Sequence, residues 1–353
     1  MQRGEHLSLG FGIVGCGMIS RFHARAINEV AGAKLIGCTS LLLDEAQKFG
    51  AEFQCQPFAS LHEMLADSSV NIVTICTPSG AHLDPAVAAA NAGKHVLVEK
   101  PLEVTAARCQ KIVDAAQRKG VHVATVFPSR FHNCWKTVKT AMDAGRFGTL
   151  SLGDAFVKWF RTQEYYDSGQ WRGTWELDGG GALMNQAIHS VDLLLWLMGP
   201  VESVTAKVAT RSHKRIEVED IAVATLQFRS GALGVIEATT GSFPGLSKRI
   251  ELHGSTGSVI VEEQEIKHWA FAQPLTGDDQ VIRPVNLGVA SQGGAGDPSS
   301  IGHAAHAEQF RNFMGAIQRG AEPAIAGAEG SRSVELIEAI YRSARENRAV
   351  VIP

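Results

Sequence analysis

The sequence predicts an α/β chain of two domains: a doubly wound parallel sheet over residues 1–130, then a domain of mixed strands and helices over 131–353. Three observations carry that reading. The length, 353 residues, exceeds what one hydrophobic core usually supports. The first third alternates short, continuous apolar runs with helical periodicity, the pattern of strands covered on both faces by helices. All six cysteines lie at or before Cys134 and all six tryptophans at or after Trp135, and this shift falls where the strand–helix rhythm also changes.

Residues 9–14 form the first apolar run, stopped by Gly15-Cys16-Gly17 and followed by a helical pattern through His23, Ala26 and Ile27. Further strands are predicted at 34–38, 72–76, 95–98 and 121–126, with helices at 44–49, 61–65, 85–92 and 106–119. From residue 150 onward, strand-like stretches fall at 151–159, 201–210, 221–228, 233–240 and 248–253, separated by turn signals such as Arg229-Ser230-Gly231. Two helical patterns, 304–318 and 330–347, close the chain.

The composition is 45% hydrophobic and 20% charged with a formal net charge of −3, ordinary for a soluble globular protein. No run of Lys or Arg offers a footprint for nucleic acid or an anionic membrane, and no stretch of about 18 apolar residues could span a bilayer. A small molecule is therefore the expected partner. Residues 1–10 lack the basic-then-apolar pattern of a secretory signal, which points to the cytoplasm. Cys16, Cys38, Cys55, Cys76, Cys109 and Cys134 form no C-x-x-C pair; they read as reduced packing residues, and no metal site is expected.

Open parallel sheets bind ligands beyond the carboxyl ends of their strands, so the residues after each run are the candidates. Gly15-x-Gly17 follows the first run. Glycine there permits a tight turn and close approach of a pyrophosphate, and the helix that Met18 and Ile19 open presents unpaired N–H groups and a positive dipole end. The third fingerprint position holds Ser20 instead of Gly or Ala. The second run ends in Cys38-Thr39-Ser40-Leu41: Ser40 stands where an acid would grip the ribose of NAD, and no adjacent Arg awaits the 2′-phosphate of NADP, so NAD or NADP stays open. Thr77-Pro78-Ser79 and His82 follow the run at 72–76. Glu99-Lys100-Pro101 follows that at 95–98, where the proline removes a donor and restricts the lysine before it.

Together Gly15-x-Gly17, Thr77-Pro78, His82, Ala92-Gly93-Lys94-His95-Val96 and Glu99-Lys100-Pro101 resemble the glucose-fructose oxidoreductase, inositol dehydrogenase and rhizopine-catabolism protein family, written Gfo/Idh/MocA. The resemblance runs over nearly the whole chain. It implies a Rossmann domain followed by an α+β domain on a large, open, mostly antiparallel sheet, whose exposed face would support a homodimer or homotetramer. Residues 179–192, Gly-Gly-Gly-Ala-Leu-Met-Asn-Gln-Ala-Ile-His-Ser-Val-Asp, resemble the family's second signature. Within it Asn185 and His189 are four apart and share a helix face, with Asp192 nearby. The family usually has Asp where this chain has Asn185, a departure similar to sugar-nucleotide dehydrogenases of the UDP-N-acetylglucosaminuronate type. An amide can orient a substrate hydroxyl, whereas a carboxylate could also raise the histidine's proton affinity.

The chemistry that the resemblance implies is NAD(P)-dependent oxidation at a ring carbinol of a sugar, cyclitol or sugar nucleotide, with hydride passing to the nicotinamide and the hydroxyl proton to a base. An imidazole titrates near working pH, which suits His189; Lys100 could stabilise a developing alkoxide, and the sequence does not separate the two roles. The implied cofactor residues are Gly15, Gly17, Met18, Ile19, Ser40, Thr77, Pro78, His82, Glu99 and Lys100, with Glu99 shaping the nicotinamide site. Those implied on the substrate side are Lys100, Arg161, Arg172, Asn185 and His189.

Lys158-Trp159-Phe160-Arg161, Tyr165-Tyr166 and Trp171-Arg172-Gly173-Thr174-Trp175 concentrate rings that stack on sugar faces and arginines that bind carboxylate or phosphate oxygens. The same composition suits an oligomer interface. If Arg161 or Arg172 faces the nicotinamide, an acidic or phosphorylated sugar is favoured. Asp220, His303 and His306 read as structural. The resemblance also admits a redox-neutral NAD-dependent glycosidase and a non-catalytic dinucleotide-binding regulator, although a regulator would not need Lys100, Asn185 and His189 together.

Overall fold

In a computed structural model, residues 8–282 and 302–353 are described, so the reading of the first seven residues lies outside them. They divide into two compact units. The first unit carries β1 (Leu9–Val14), α1 (Met18–Glu29), β2 (Ala33–Thr39), α2 (Leu43–Phe53), β3 (Gln56–Pro57), α3 (Leu61–Ala66), β4 (Ile72–Ile75), α4 (Leu83–Asn91), β5 (His95–Val98), α5 (Ala106–Lys119) and β6 (Val123–Thr125). Its sheet is wholly parallel in the order β3-β2-β1-β4-β5-β6, so the winding reverses at β1 and β4, where such sheets bind ligands. All six residues of β1 are buried, as a continuous apolar run in a doubly covered sheet requires. α5 shows how local sequence sets an element: the Thr105 hydroxyl caps it by accepting the Arg108 N–H at 3.2 Å, and Gly120, at φ 64°, ends it.

The second unit holds α6 (Asn133–Asp143), β7 (Leu150–Lys158), α7 (Gln163–Asp167), α8 (Ile188–Met198), β8 (Val201–Ala209), β9 (Ile221–Phe228), β10 (Leu233–Thr239), β11 (Arg249–Gly254), β12 (Gly257–Glu262) and β13 (Glu265–Phe271). With β14 (Val350–Val351) these strands make an eight-stranded sheet in the order β13-β12-β11-β7-β10-β9-β8-β14. Every ladder is antiparallel except β7 with β10. One face is buried: β9 turns Ala222, Ala224, Leu226 and Phe228 inward and leaves Val223, Thr225 and Gln227 outside. α8, apolar except for His189, Ser190 and Asp192, is buried along almost its whole length.

The five strands predicted after residue 150 are present. The β12–β13 hairpin was not expected, and its turn explains why. It reverses at Glu263, which sits at φ 51° where Asn or Gly would have announced a turn. The Glu263 carboxylate accepts the Lys248 N–H at 2.9 Å from inside the fold, which stabilises that unfavourable choice.

The chain returns to the first unit for residues 302–331. There α9 (Ala304–Arg319) buries Phe310, Phe313 and Met314 in the core with Phe11 and Ile27, and Phe310 stacks on Phe11 at 5.9 Å. Gln309 of α9 accepts the Phe127 N–H at 3.0 Å and donates to the Thr125 carbonyl at 2.7 Å, satisfying backbone at the β6 edge. α10 (Gly327–Glu346) begins in the first unit and ends in the second.

Candidate active site

In the first unit the residues expected around a dinucleotide lie at the carboxyl ends of β1, β2, β4 and β5. Gly15 has φ 92°, and a Cβ on it would stand 2.8 Å from the Cys76 carbonyl oxygen, so only glycine makes this turn. Gly17 caps α1 with no side-chain partner for its first N–H groups and with open space where a Cβ would point. This cradle fits a pyrophosphate. Met18 is 47% exposed at the start of α1 and Ile19 half-buried. Ser20 is fully buried and donates to the Gly17 carbonyl at 2.6 Å, a small polar residue doing the close-packing duty of the usual third Gly or Ala.

Ser40 donates its hydroxyl proton to the Glu45 carboxylate at 2.7 Å. An acid therefore stands beside Ser40 after all, in the exposed first turn of α2. Sequence reasoning missed it by looking only at the strand end; an acid in the first turn of the next helix was the available signal.

His82 is buried, its ring nitrogens facing the Thr77 carbonyl at 3.0 Å and the Pro101 carbonyl at 2.9 Å, and burial lowers its proton affinity. The imidazole ties together the loops that carry Thr77-Pro78 and Lys100-Pro101; the latter peptide bond is cis. Glu99 is 6% exposed, with one oxygen 2.7 Å from His23 Nε2 and the other accepting the Lys100 N–H at 3.1 Å. Burial pushes its carboxyl up, but the hydrogen bond and charge of His23, helped by His306 and Lys100, outweigh it and hold the group down at about 2. Glu99 thus fixes the backbone from which the half-buried Lys100 projects. Donor atoms of His23, Glu99 and His306 lie within 4.8 Å of one another, a clustering of distant sequence positions that no spacing rule reveals. Because His23 Nε2 and Glu99 Oε1 are at hydrogen-bond distance, 2.7 Å, the contact orients Glu99.

In the second unit the signature begins in a π-helical turn, Ala182–Ala187, which runs into α8. From Asp178 to Leu195 every residue is buried except Asn185 and His189, which are half-exposed. These two polar side chains therefore keep contact with solvent within an otherwise buried stretch. Asn185 Nδ2 donates to Asp178, a residue 1% exposed whose other oxygen accepts the Gly173 N–H at 2.8 Å. Gln186 donates to Asn185 Oδ1 at 3.2 Å and to the Tyr165 hydroxyl at 3.0 Å. Arg161 donates to Gln186 Oε1 at 2.8 Å, and Arg172 to the Tyr165 hydroxyl at 2.7 Å. Both guanidinium groups lie against the Tyr165 ring, 5.5 Å and 4.3 Å from its centroid. Arg161, Arg172 and Asn185, expected on the substrate side, therefore belong to one polar network in which Asp178 and Gln186 had not been singled out.

Asp192 forms a buried two-pronged pair with Arg130 at 2.6 and 2.8 Å, so it anchors α8. Asp220 accepts the N–H groups of Arg211, Ser212 and His213 at 2.7 to 2.8 Å, and His303 meets Glu29 at 2.7 Å, both structural contacts.

A dinucleotide cradle on a 3-2-1-4-5-6 parallel sheet, with a second unit that presents a compact polar site, defines a nicotinamide-dependent oxidoreductase. Residues 9–127 match the oxidoreductase family with an NAD-binding Rossmann fold, and residues 135–260 match the GFO/IDH/MocA C-terminal domain. The chain belongs to the GFO/IDH/MocA oxidoreductase family, and its first unit is an NAD-binding Rossmann domain. The WlbA dehydrogenase of Bordetella pertussis, solved with NADH and UDP-GlcNAcA, is 38% identical with a TM-score of 0.89, over 98% of each chain. Inositol 2-dehydrogenase of Rhizobium meliloti is 28% identical over 98% of this chain and 100% of its own. Levoglucosan dehydrogenase of Pseudarthrobacter phenanthrenivorans is 27% identical over 89% of this chain and 87% of its own. Among the described residues no helix is long and apolar enough to cross a membrane.

Proposed function

We propose that this protein is an NAD-dependent sugar dehydrogenase whose substrate is a nucleotide-linked sugar carrying a carboxylate. The observation that carries the reading is the pair of arginines, Arg161 and Arg172, gathered on Tyr165 and hydrogen-bonded through Gln186 to Asn185. Guanidinium forks recognise carboxylate and phosphate oxygens, and an aromatic ring offers a face to a sugar. WlbA, solved with a sugar nucleotide of that kind, supports the assignment, while inositol and levoglucosan dehydrogenases support the wider class of sugar and cyclitol oxidation.

The 1–130 region, joined by residues 302–331, binds the cofactor, and the rest of 131–353 binds the substrate. Bound NAD supplies a hydride acceptor. Gly15, Gly17, Met18 and Ile19 would receive the pyrophosphate; Thr77, Pro78 and His82 shape the loop beside it; and Glu99 holds the Lys100 backbone. Lys100 and His189 handle the substrate hydroxyl proton, and Asn185, polarised by Asp178, orients that hydroxyl. The Glu45 carboxylate at Ser40 accepts the ribose hydroxyls of NAD and repels the 2′-phosphate of NADP. The outer sheet face, where Leu152, Val223 and Leu233 are 37%, 44% and 56% exposed, pairs copies of the chain into a homodimer or homotetramer. The enzyme acts in the cytoplasm.

The test is NADH formation over a panel of UDP-N-acetylglucosaminuronate, UDP-N-acetylglucosamine, myo-inositol and levoglucosan. The acidic sugar nucleotide should give the highest kcat/KM, and Arg161→Ala with Arg172→Ala should erase its advantage over the neutral one. Preferred turnover of a neutral cyclitol overturns the substrate class. Release of a monosaccharide without NADH accumulation marks redox-neutral chemistry instead.

A further inference from the structure

The glycines of the signature press the backbone against two residues outside it. A Cβ on Gly180 would stand 2.1 Å from the Tyr341 hydroxyl, and one on Gly181 would stand 1.8 Å from the Glu219 carbonyl oxygen. Hydrogen bonds fill this contact. The Glu219 carboxylate accepts the N–H of Gly181 at 3.0 Å and of Leu183 at 2.8 Å, and the Tyr341 hydroxyl donates to it at 3.0 Å. The Glu219 carbonyl oxygen accepts the Ala182 N–H at 3.0 Å. A helix leaves its first N–H groups without partners inside the helix; here three consecutive ones end on a single residue. Glu219 and Tyr341 are 3% and 4% exposed; Tyr166 of α7 feels the charge of Glu219, and Tyr341 that of Glu219 and Asp178.

Three donors converge on two carboxylate oxygens. An ionised carboxylate accepts all three; a protonated acid or an amide brings a donor of its own, which only the Tyr341 hydroxyl oxygen can accept, so that contact must reverse. Burial pushes the Glu219 carboxyl up to about 7, against the hydrogen bonds from Leu183, Gly181 and Tyr341 that pull it down. The charged cap is thus costly to keep, and it sits at the start of the one helix that presents Asn185 and His189 to solvent. Costly local choices held in place by the surrounding fold gather at functional sites.

We infer that Glu219, with Tyr341, is a positioning residue for the Asn185–His189 face: its carboxylate fixes the first turn of the helix and thereby the direction of both side chains. This rests on the proposed reading that Asn185 and His189 meet the substrate. The folded carboxyl titrates above its unfolded value, so its contribution to stability is present below the ordinary carboxylate range and lost as pH rises through about 7.

Glu219→Gln tests the inference. It should lower kcat about tenfold and raise the substrate KM, leave the NADH dissociation constant within about twofold, and gain in Tm relative to wild type between pH 5 and pH 8. Tyr341→Phe should lower kcat about threefold, and the double variant should be no worse than Glu219→Gln alone. Wild-type kinetics in Glu219→Gln overturn the inference, and so does a loss of kcat that merely tracks loss of NADH binding and Tm. If Glu219→Gln does not fold, Tyr341→Phe alone decides: a lowered kcat with NADH binding kept supports the inference, and unchanged kinetics overturn it. Turnover retained in both Asn185→Ala and His189→Ala would instead overturn the functional reading beneath it.

Discussion

Each unit lacks an acid where its family places one, and each brings an acid to that spot from elsewhere. In the first unit Ser40 meets Glu45, five residues on, in an exposed helix turn. In the second Asn185 meets Asp178, seven residues back, in a buried turn beside the glycines. The chemistry of the two substitutions is the same, and the surroundings differ. A carboxylate in water interacts weakly with anything beyond its immediate contact, whereas one removed from water must be satisfied and acts strongly on its partners. The exposed acid should therefore tune ligand choice, while the buried one should support the fold and the reaction together.

The largest expected effect breaks the buried member. Asp178→Ala strands the buried Gly173 N–H, a loss of about 1–3 kcal/mol, and removes the carboxylate that the half-exposed Asn185 amide donates to. The expected result is a fall of about a hundredfold in kcat/KM together with a lowered Tm, read by steady-state kinetics and thermal unfolding. If both stay at wild-type values, Asp178 is not the acid standing in for position 185.

A subtler variant sharpens the same comparison. Asn185→Asp restores the residue usual in the family, but it places a second carboxylate against Asp178. Two carboxylates sharing one buried site cannot both ionise cheaply, so one pKa rises. A raised folded pKa contributes stability that is fully present below the unfolded carboxyl pKa, about 3.9, and lost as pH climbs through the folded one, so this variant should match wild type near pH 3.5 and fall below it by about 2 kcal/mol at pH 8. Denaturation at the two pH values measures this. Equal stability at both would show that Asn185 and Asp178 are not coupled.

Much of this was legible in the sequence, for identifiable reasons. The strands of the first unit are continuous apolar runs, and Asn185 and His189, four apart, are the two half-exposed positions of a buried stretch; periodicity of this kind is a local property. The partners were not legible. Glu219 and Tyr341 lie 38 and 160 positions beyond Gly181, and Asp178 reaches Asn185 only because the glycine turn folds the chain back. α9 was read as a helix, but nothing in its periodicity says that it returns to the first unit, since an apolar face names no partner. Glu45 is the intermediate case: five residues from Ser40, it could have been found by extending the search for a ribose-binding acid into the first turn of α2.

That exposed acid gives the smallest effect. Glu45 can accept the ribose hydroxyls and oppose a 2′-phosphate, but water and salt screen both interactions, so charge repulsion there is worth about 1 kcal/mol. Glu45→Ala should therefore weaken NADH binding only about threefold, tighten NADPH binding by a similar factor, and leave Tm unchanged. The change in selectivity should shrink as salt is raised. NADH and NADPH titrations followed by nicotinamide fluorescence at two ionic strengths separate these outcomes from turnover altogether. A large loss of stability in Glu45→Ala, or an unchanged preference between the dinucleotides, would erase the contrast with Asp178, because the exposed acid would then be structural or irrelevant. A salt-sensitive shift in selectivity at constant Tm would show the same replacement serving ligand choice in one unit and the reacting geometry in the other.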